Sequence, residues 1–501
     1  MKKNPKLLGI AGSLRNARWG AGNQQLIQSL VGIEGKEELL RFLESESEMH
    51  LQNFLDAGRR EGKPFEEIYK NLRKDKGVKG LSNSEVALAA GLWSAYQYGV
   101  DIDHISLAEY FLASGHVHGL DELKSKLLAS DGILVSGPVY FGDRGSLVQS
   151  LLEWIWGDEE LRQHLDGKFY AGIAVGAKRN GGQETTLVYQ MLDFSMAGML
   201  TLGNDSETTS QYGGTGKAGD VGTMHADQYG LDTSMGTGRR IGSLLRATAK
   251  RAQVKAPSRV LFLVLQDRND YALNMVRQLT EALGSSVSAT IVPIASSRVL
   301  RCIACDICPT DIDLDSKYRC IIKAKADDLP GLHAQFLSHD LVVPVVYSGK
   351  QKAEISTNYQ SFIERTRYLR RGDYVFSNQL VAPLVIEELG VQDNFGLRMM
   401  TSFLRHHTVM SRPIIQYLHG SERIDFPHTV AELQRVVEQS RAIAAARISA
   451  TLDDKVGQYN PVGYVLSANK DIEDERLNLR VKMMEERIFS AREEAATRIE
   501  E

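Results

Sequence analysis

Cysteine is nearly absent from this chain. Only four of its 501 residues are cysteines, and they fall in one stretch that opens with CIACDIC: Cys302, Cys305, Cys308 and Cys320. So local a cluster gives no disulfide framework for the whole chain. In a reducing compartment it reads as a set of metal ligands, and a cytoplasmic location is expected. Long apolar runs are missing too. LVVPVV, from residue 341, is far too short to cross a bilayer, so no membrane span is expected. Neither charge sign dominates: 59 basic and 63 acidic residues leave a net charge of −4. That balance gives no reason to expect nucleic acid or an anionic membrane as a partner. The first strand–loop–helix carries neither G-x-x-x-x-G-K-S/T nor G-x-G-x-x-G, and the G-x-S-x-G nucleophile elbow is absent.

The remaining composition is that of a soluble globular protein, with 43% hydrophobic and 24% charged residues. The chain is too long for one core, so two or three domains are expected. The N-terminal MKKNPKLLGIAG reads as the start of a domain, not a signal peptide, because its short apolar stretch ends in a glycine turn.

Apolar strand patterns alternate with helical ones. KLLGIAG (6–12), VDIDHISL (100–107), DGILVSGPVYFG (131–142), KFYAGIAVGA (168–177) and MLTLGN read as strands, with helices between them. Such alternation predicts parallel βαβ units in a doubly wound α/β sheet. The pattern then restarts. SRVLFLVLQ (258–266) resembles the first strand, and LVVPVVYSG (341–349) echoes ILVSGPVYFG. The spacing predicts two tandem copies, over 1–250 and 258–450. The first copy is longer between its first and third strands. The surplus matches a highly charged helical stretch, about residues 33–85, which reads as an insertion. A helical tail, 451–501, follows. Its Leu477, Val481, Met484 and Ile488 keep heptad spacing, which suits a terminal helix packed on its own domain or a dimerising coil.

Three loops of the first copy carry chemistry. AGSLRN places a hydroxyl, an arginine and backbone N–H groups near the head of a helix, where anions are favoured. PVYFGDRG combines a rigid proline, two aromatics and glycines. VGAKRNGGQETT combines basic residues, paired glycines and polar side chains. Ligands of doubly wound sheets bind beyond the carboxyl ends of the strands. One loop suits a phosphate, one a flat ring and one the polar edge of that ring. Together they describe a mononucleotide with a planar aromatic head, for which FMN is the natural candidate. The plainer reading is three ordinary βα loops.

AGSLRN, PVYFG and RNGGQETT, in this order, resemble the NADPH-dependent FMN reductases and flavodoxin-like quinone oxidoreductases, and among them the iron–sulfur flavoproteins. The resemblance covers most of residues 5–245 apart from the insertion. It implies two tandem flavodoxin-like sheets and an FMN-dependent oxidoreductase that takes electrons from NADH or NADPH. The acceptor would be a quinone, a flavin or a redox protein. It also implies that Ser13, Arg15, Asn16 and Asn23 hold phosphate, and that Pro138, Val139, Tyr140, Phe141 and Gly142 flank the isoalloxazine. Asn180, Gly181, Gly182, Gln183, Glu184 and Thr185 would line its edge. Apart from the resemblance, Arg179 and Tyr140 are candidates to tune the ring. Flavodoxin-like reductases are commonly dimers or tetramers, so a homo-oligomer is expected.

The second copy departs from this pattern. LQDRN stands where the first has GSLRN, and a carboxylate at a phosphate site is repulsive. RNGGQETT has no counterpart. Loss of FMN from this copy is expected, and it carries the cysteines instead. Three cysteines at two-residue gaps can meet three corners of a cubane, with Cys320 at the fourth, so a 4Fe–4S cluster is favoured. Structural zinc prefers separated pairs. Zinc, or free redox-active thiols in a partner-binding module fused to a simple FMN reductase, is the alternative. The resemblance likewise implies a four-iron cluster relaying electrons, although the eleven-residue gap before Cys320 is longer than the family's.

Overall fold

The computed structural model describes residues 4–16, 18–74, 77, 80–205, 210–249, 256–305, 320, 322, 325–332, 335, 339–367, 376, 378–452 and 493. Cys308 and nearly all of the tail after residue 452 lie outside them. Chain contacts divide the protein into two compact units, Met1–Ala249 and Lys250–Glu501.

The first unit begins with β1 (Lys6–Ala11), whose Leu7, Leu8, Ile10 and Ala11 are fully buried. Four helices follow: α1 (Ala21–Gly32), α2 (Lys36–Phe54), α3 (Phe65–Lys74) and α4 (Asn83–Tyr96). The chain continues through β2 (Asp101–Ser106), α5 (Leu120–Leu128), β3 (Gly132–Tyr140), β4 (Asp143–Arg144), α6 (Ser146–Gly157), α7 (Glu159–Leu165) and β5 (Phe169–Gly176). It ends with α8 (Gln183–Met196), β6 (Leu200–Thr201), β7 (Gly214–Lys217) and α9 (Gln228–Ala249). Parallel pairing gives the order β2-β1-β3-β5-β7. This is the flavodoxin-like order, with its switch point between β1 and β3. MLTLGN supplies only the two-residue β6. The fifth long-range strand is GTGK, whose lack of apolar side chains hides it from hydrophobic patterning.

The second unit has β8 (Ser258–Asp267), α10 (Tyr271–Leu283), β9 (Val287–Val292), β10 (Leu341–Ser348), β11 (Ser356–Thr357) and α11 (Tyr359–Arg365). It continues with β12 (Leu380–Val381), β13 (Leu384–Glu388), α12 (Phe395–Leu404), β14 (Val409–Met410), β15 (Ile414–His419) and α13 (Phe426–Leu452). Its parallel order is β9-β8-β10-β13-β15. Among the described residues no helix is long and apolar enough to cross a membrane.

The helix that leads into β2 is α4, whose first residues fall inside the stretch 33–85. Ser82 caps it, and Glu85 closes a capping box: Ser82 Oγ accepts from Glu85 N and Glu85 Oε2 accepts from Ser82 N at 2.8 Å. Its residues 84–95 are all buried, as suits a helix trapped between a sheet and a neighbouring helix. That neighbour is α9. A Cβ on Gly238 of α9 would lie 1.9 Å from the Gly91 carbonyl oxygen of α4, so the two backbones touch. Within GLDTSMGTG, Ser234 and Gly238 serve this approach.

A second stitch joins α1 to β2. Asn23 Oδ1 lies 2.8 Å from Nδ1 of fully buried His104, and the Asn23 amide donates to Glu109. Burial pushes the His104 imidazolium down to about 3, with nearby Asp103 opposing the shift. The unfolded chain takes up a proton near pH 6.5 that the folded ring refuses until far lower pH. Stability therefore falls as pH falls through that window.

Two outcomes are expected. Gly238→Val forces α4 and α9 apart and lowers stability by about 1–3 kcal/mol, read as a lower urea midpoint. Lowering the pH from about 7 to about 4 lowers the same midpoint, and His104→Gln makes that dependence shallower.

Candidate functional site

At the carboxyl ends of β1, β3 and β5 lies a cleft of about 370 Å³. Ser13, Leu14 and Arg15, from the loop after β1, form one wall with Ser82, Asn83 and Ser84 at the head of α4. Pro138, Val139 and Tyr140 leave β3 on the other side, and Val175 and Ala177 mark the end of β5. His50 and Phe65 from α2 and α3, and Ala218 and Val221 beyond β7, complete the lining.

The β1 loop is held by buried polar contacts. The Asn16 amide donates to the Ala11 carbonyl (2.9 Å) and to Ser106 Oγ (3.0 Å), and its oxygen accepts from Ser82 Oγ (2.9 Å). Arg18 pairs with Glu46 of α2 at 2.5 Å, with both side chains largely buried, and its Nε donates to the Gly80 carbonyl. These bonds fix the head of α4 beside the end of β1. A fourteen-residue helix presents its N-terminal dipole there, which favours an anion. Among the described residues no carboxylate pairs with Arg15, whose guanidinium sits 5.5 Å from the Phe54 ring centre and 5.9 Å from that of Phe65.

On the ring side, β3 turns into β4 through Phe141 and Gly142, both at positive φ (53° and 80°). That hairpin turn holds the Phe141 ring out in solvent, and Tyr140 is also exposed. The loop after β5 packs against it. Gly182 has φ of 97°, and a Cβ there would meet Gly142 Cα at 2.7 Å, so only glycine fits. Gln183 braces this loop from within: its oxygen accepts from Gly181 N, and its nitrogen donates to the carbonyls of Lys178 and Gly216.

Ser13, Arg15, Pro138, Val139 and Tyr140 thus come together in the cleft. Asn16 and Asn23 are buried behind it, engaged within the protein. Phe141 and Gly142 form the hairpin tip. Asn180 and Gly181 are exposed on the packed loop, and Glu184 and Thr185 on the first turn of α8. Arg179 donates to the Thr215 carbonyl at 2.8 Å, pairs with Asp227 and lies over the Tyr229 ring, which anchors it to the start of α9. Sequence reasoning missed the head of α4. Its signal was available, since SNSE before VALAAGLW is a capping box preceding an apolar run. It also missed His50 and Phe65, for which helical periodicity gives only burial.

In the second unit the corresponding helix head is occupied by the protein itself. Asp267, at the end of β8, accepts from the backbone N–H groups of Arg268 (2.7 Å), Ala272 (2.7 Å) and Leu273 (3.1 Å). The buried carboxylate satisfies the N-terminal donors of α10 that a phosphate would otherwise meet.

Cys302, Cys305 and Cys320 are half-buried free thiols, and Ala304 N donates to Cys302 Sγ at 3.4 Å. A buried ion pair ties down the approach to this segment. Arg365 bonds Asp327 at 2.7 Å, its other nitrogen donates to the Leu300 carbonyl (2.9 Å), and Asp327 accepts from Leu300 N. Thiolates are the donors an iron–sulfur cluster needs. Among the described residues, however, no three His, Cys, Asp or Glu side chains are gathered around a common point.

Residues 77–212 match the family model of NADPH-dependent FMN reductases. An iron–sulfur flavoprotein of Methanocaldococcus jannaschii is 32% identical over 136 residues, spanning 27% of this chain and 68% of that protein. An iron–sulfur flavoprotein of Methanosarcina thermophila is 25% identical over 181 residues, spanning 34% of this chain and 91% of that protein. Among solved structures, the Trp repressor binding protein from Bacillus subtilis aligns at 12% identity and a TM-score of 0.24, over 46% of this chain and 96% of that one. With its flavodoxin-like fold and a cleft at the switch point of its first sheet, the chain belongs to the iron–sulfur flavoprotein family.

Proposed function

We propose that the first unit binds FMN in the β1–β3–β5 cleft and works as an NAD(P)H oxidoreductase, delivering electrons to a quinone, a flavin or a redox protein. The observation that carries this reading is the polarity of the cleft. The Arg15 guanidinium, which no described carboxylate pairs with, and a helix head stand at one end, and an aromatic hairpin at the other. FMN, when bound, supplies the electron-transfer chemistry. The residues supply its place. Ser13, Arg15 and the N-terminus of α4 would hold the phosphate. Pro138, Val139 and Tyr140 would flank the flat ring, and the loop of residues 179–185, braced by Gln183, would support the hairpin at its edge.

The second unit, on this reading, is a flavin-free copy of the same fold. Asp267 fills the helix head that would take a phosphate. Its cysteine segment would bind a 4Fe–4S cluster through Cys302, Cys305, Cys308 and Cys320 and relay electrons, which the names of the curated relatives support. A reducing cytoplasm suits such thiols. A homo-oligomer fits the same reading.

Anaerobically purified full-length protein is expected to show flavin absorption over a broad iron–sulfur shoulder, with about four irons and matching sulfide per chain. Zinc, or no metal, would replace the cluster reading with an FMN reductase domain fused to a zinc- or thiol-bearing module. Addition of NADH or NADPH should bleach the flavin band, and an unchanged band with both would defeat the oxidoreductase reading. Arg15→Gln should weaken FMN binding by about 10-fold in a fluorescence titration.

A further inference from the structure

The segment that carries the cysteines is tied at its two ends. Arg298 N donates to Asp328 Oδ2 at 2.6 Å, and Asp328 N returns a bond to the Arg298 carbonyl at 2.9 Å. One step further in, Leu300 N donates to Asp327. Helix α11 grips the entering side of this neck at two points. Asn358, just before the helix, donates to the carbonyls of Ile294 (2.8 Å) and Ser297 (2.6 Å). Arg365, the last residue of the helix, donates to that of Leu300 (2.9 Å).

The same Arg365 guanidinium pairs with Asp327 at 2.7 Å, and the two side chains are 1% and 0% exposed. Burying two charges is costly, and the Arg298–Asp328 bonds already close the neck, so closure alone gives no reason for the pair. One guanidinium N–H is also left over. Nε is buried and has no hydrogen-bond partner among the described residues, a state that buried donors rarely keep. Cys320 lies beside this guanidinium. Arginine carries five donors in one plane, so it can meet a carbonyl, a carboxylate and a sulfur together. A metal-bound thiolate is an anion that accepts N–H bonds. Cys302 stands two residues after Leu300, so the first and last cysteines of the segment leave from the same neck.

We infer that Arg365 is a positioning residue for the metal centre: anchored on Asp327 and the Leu300 carbonyl, it holds the Cys320 sulfur at the neck as the fourth ligand. Cys302, Cys305 and Cys308, at two-residue gaps, serve three corners without it. The fourth corner is the one the sequence leaves to a distant residue, and the buried pair brings that residue in. The inference rests on the reading of the segment as a 4Fe–4S site.

The test is iron content and electron paramagnetic resonance of anaerobically purified full-length protein. The double variant Arg365→Gln/Asp327→Asn removes the pair without leaving one buried charge alone. It should hold about three irons per chain instead of about four and show, when oxidised, the signal of a 3Fe–4S cluster. Cys320→Ala should give the same centre, and adding it to the double variant should change nothing further. Circular dichroism and the urea midpoint identify a variant that has lost its fold. In that case Arg365→Lys, which keeps the charge but not the planar fork, takes its place with the same expected loss. A folded variant that keeps the wild-type iron content without the new signal refutes the positioning role and leaves the cluster standing. A folded variant that loses all its iron refutes it too, because the pair then holds the whole segment and not its fourth ligand. If wild-type protein carries zinc or no metal, the cluster reading falls and this inference with it.

Discussion

The architecture of the cleft depends on one buried amide. Asn16 joins the end of β1, the end of β2 and the cap of α4 through three hydrogen bonds, each to a group that burial has cut off from water. Residues 17–81 separate Asn16 from the cap of α4, and a long closure of this kind carries an entropic cost that only specific contacts offset. The Asn16–Ser82 bond, the Ser82–Glu85 box and the Arg18–Glu46 pair supply them. Remove this network and the loop and the helix head have no reason to share a site.

Much of the fold was legible because burial on both faces writes itself as apolar runs. KLLGIA, GILVSGPVY, FYAGIAVG and LVVPVVYS are such runs, bounded by turns or helix caps. The strand GTGK was not legible. Its glycines are selected by close packing against Ile173 and Met224 rather than by hydrophobicity. The site was half legible. Ser13, Arg15 and Pro138–Tyr140 declare themselves as residue types suited to an anion and a ring, and they converge. Asn16 has the same chemical character, yet its donors and acceptor are consumed inside the protein, which no spacing rule reveals. His50 is the converse case. Along α2 it occupies a position like any other inward one, and only the tertiary placement of the insertion makes it a cleft residue.

The two units show how one strand order serves different ends. In the second unit the helix head at the end of the first strand belongs to the next helix, α10, whereas in the first α1, α2 and α3 intervene before the head of α4 returns to the end of β1. In the first unit the head of α4, capped by Ser82 and Glu85, lines the cleft beside Arg15, which no described carboxylate pairs with. The second closes the head of α10 with Asp267, whose carboxylate accepts three backbone N–H groups. The second unit carries the cysteines after β9, and the Arg365–Asp327 pair, bonded to Leu300, secures the segment entering them. A buried pair of this kind is weak evidence for stability but fixes a geometry well.

The central claim is that an arginine-bearing cleft in one unit and a helix head filled by a carboxylate in the other give a single flavin site. The most direct test is the binding stoichiometry of FMN on the full-length chain, titrated at concentrations well above the dissociation constant. The account predicts one FMN per chain. Two per chain, or none, would contradict it.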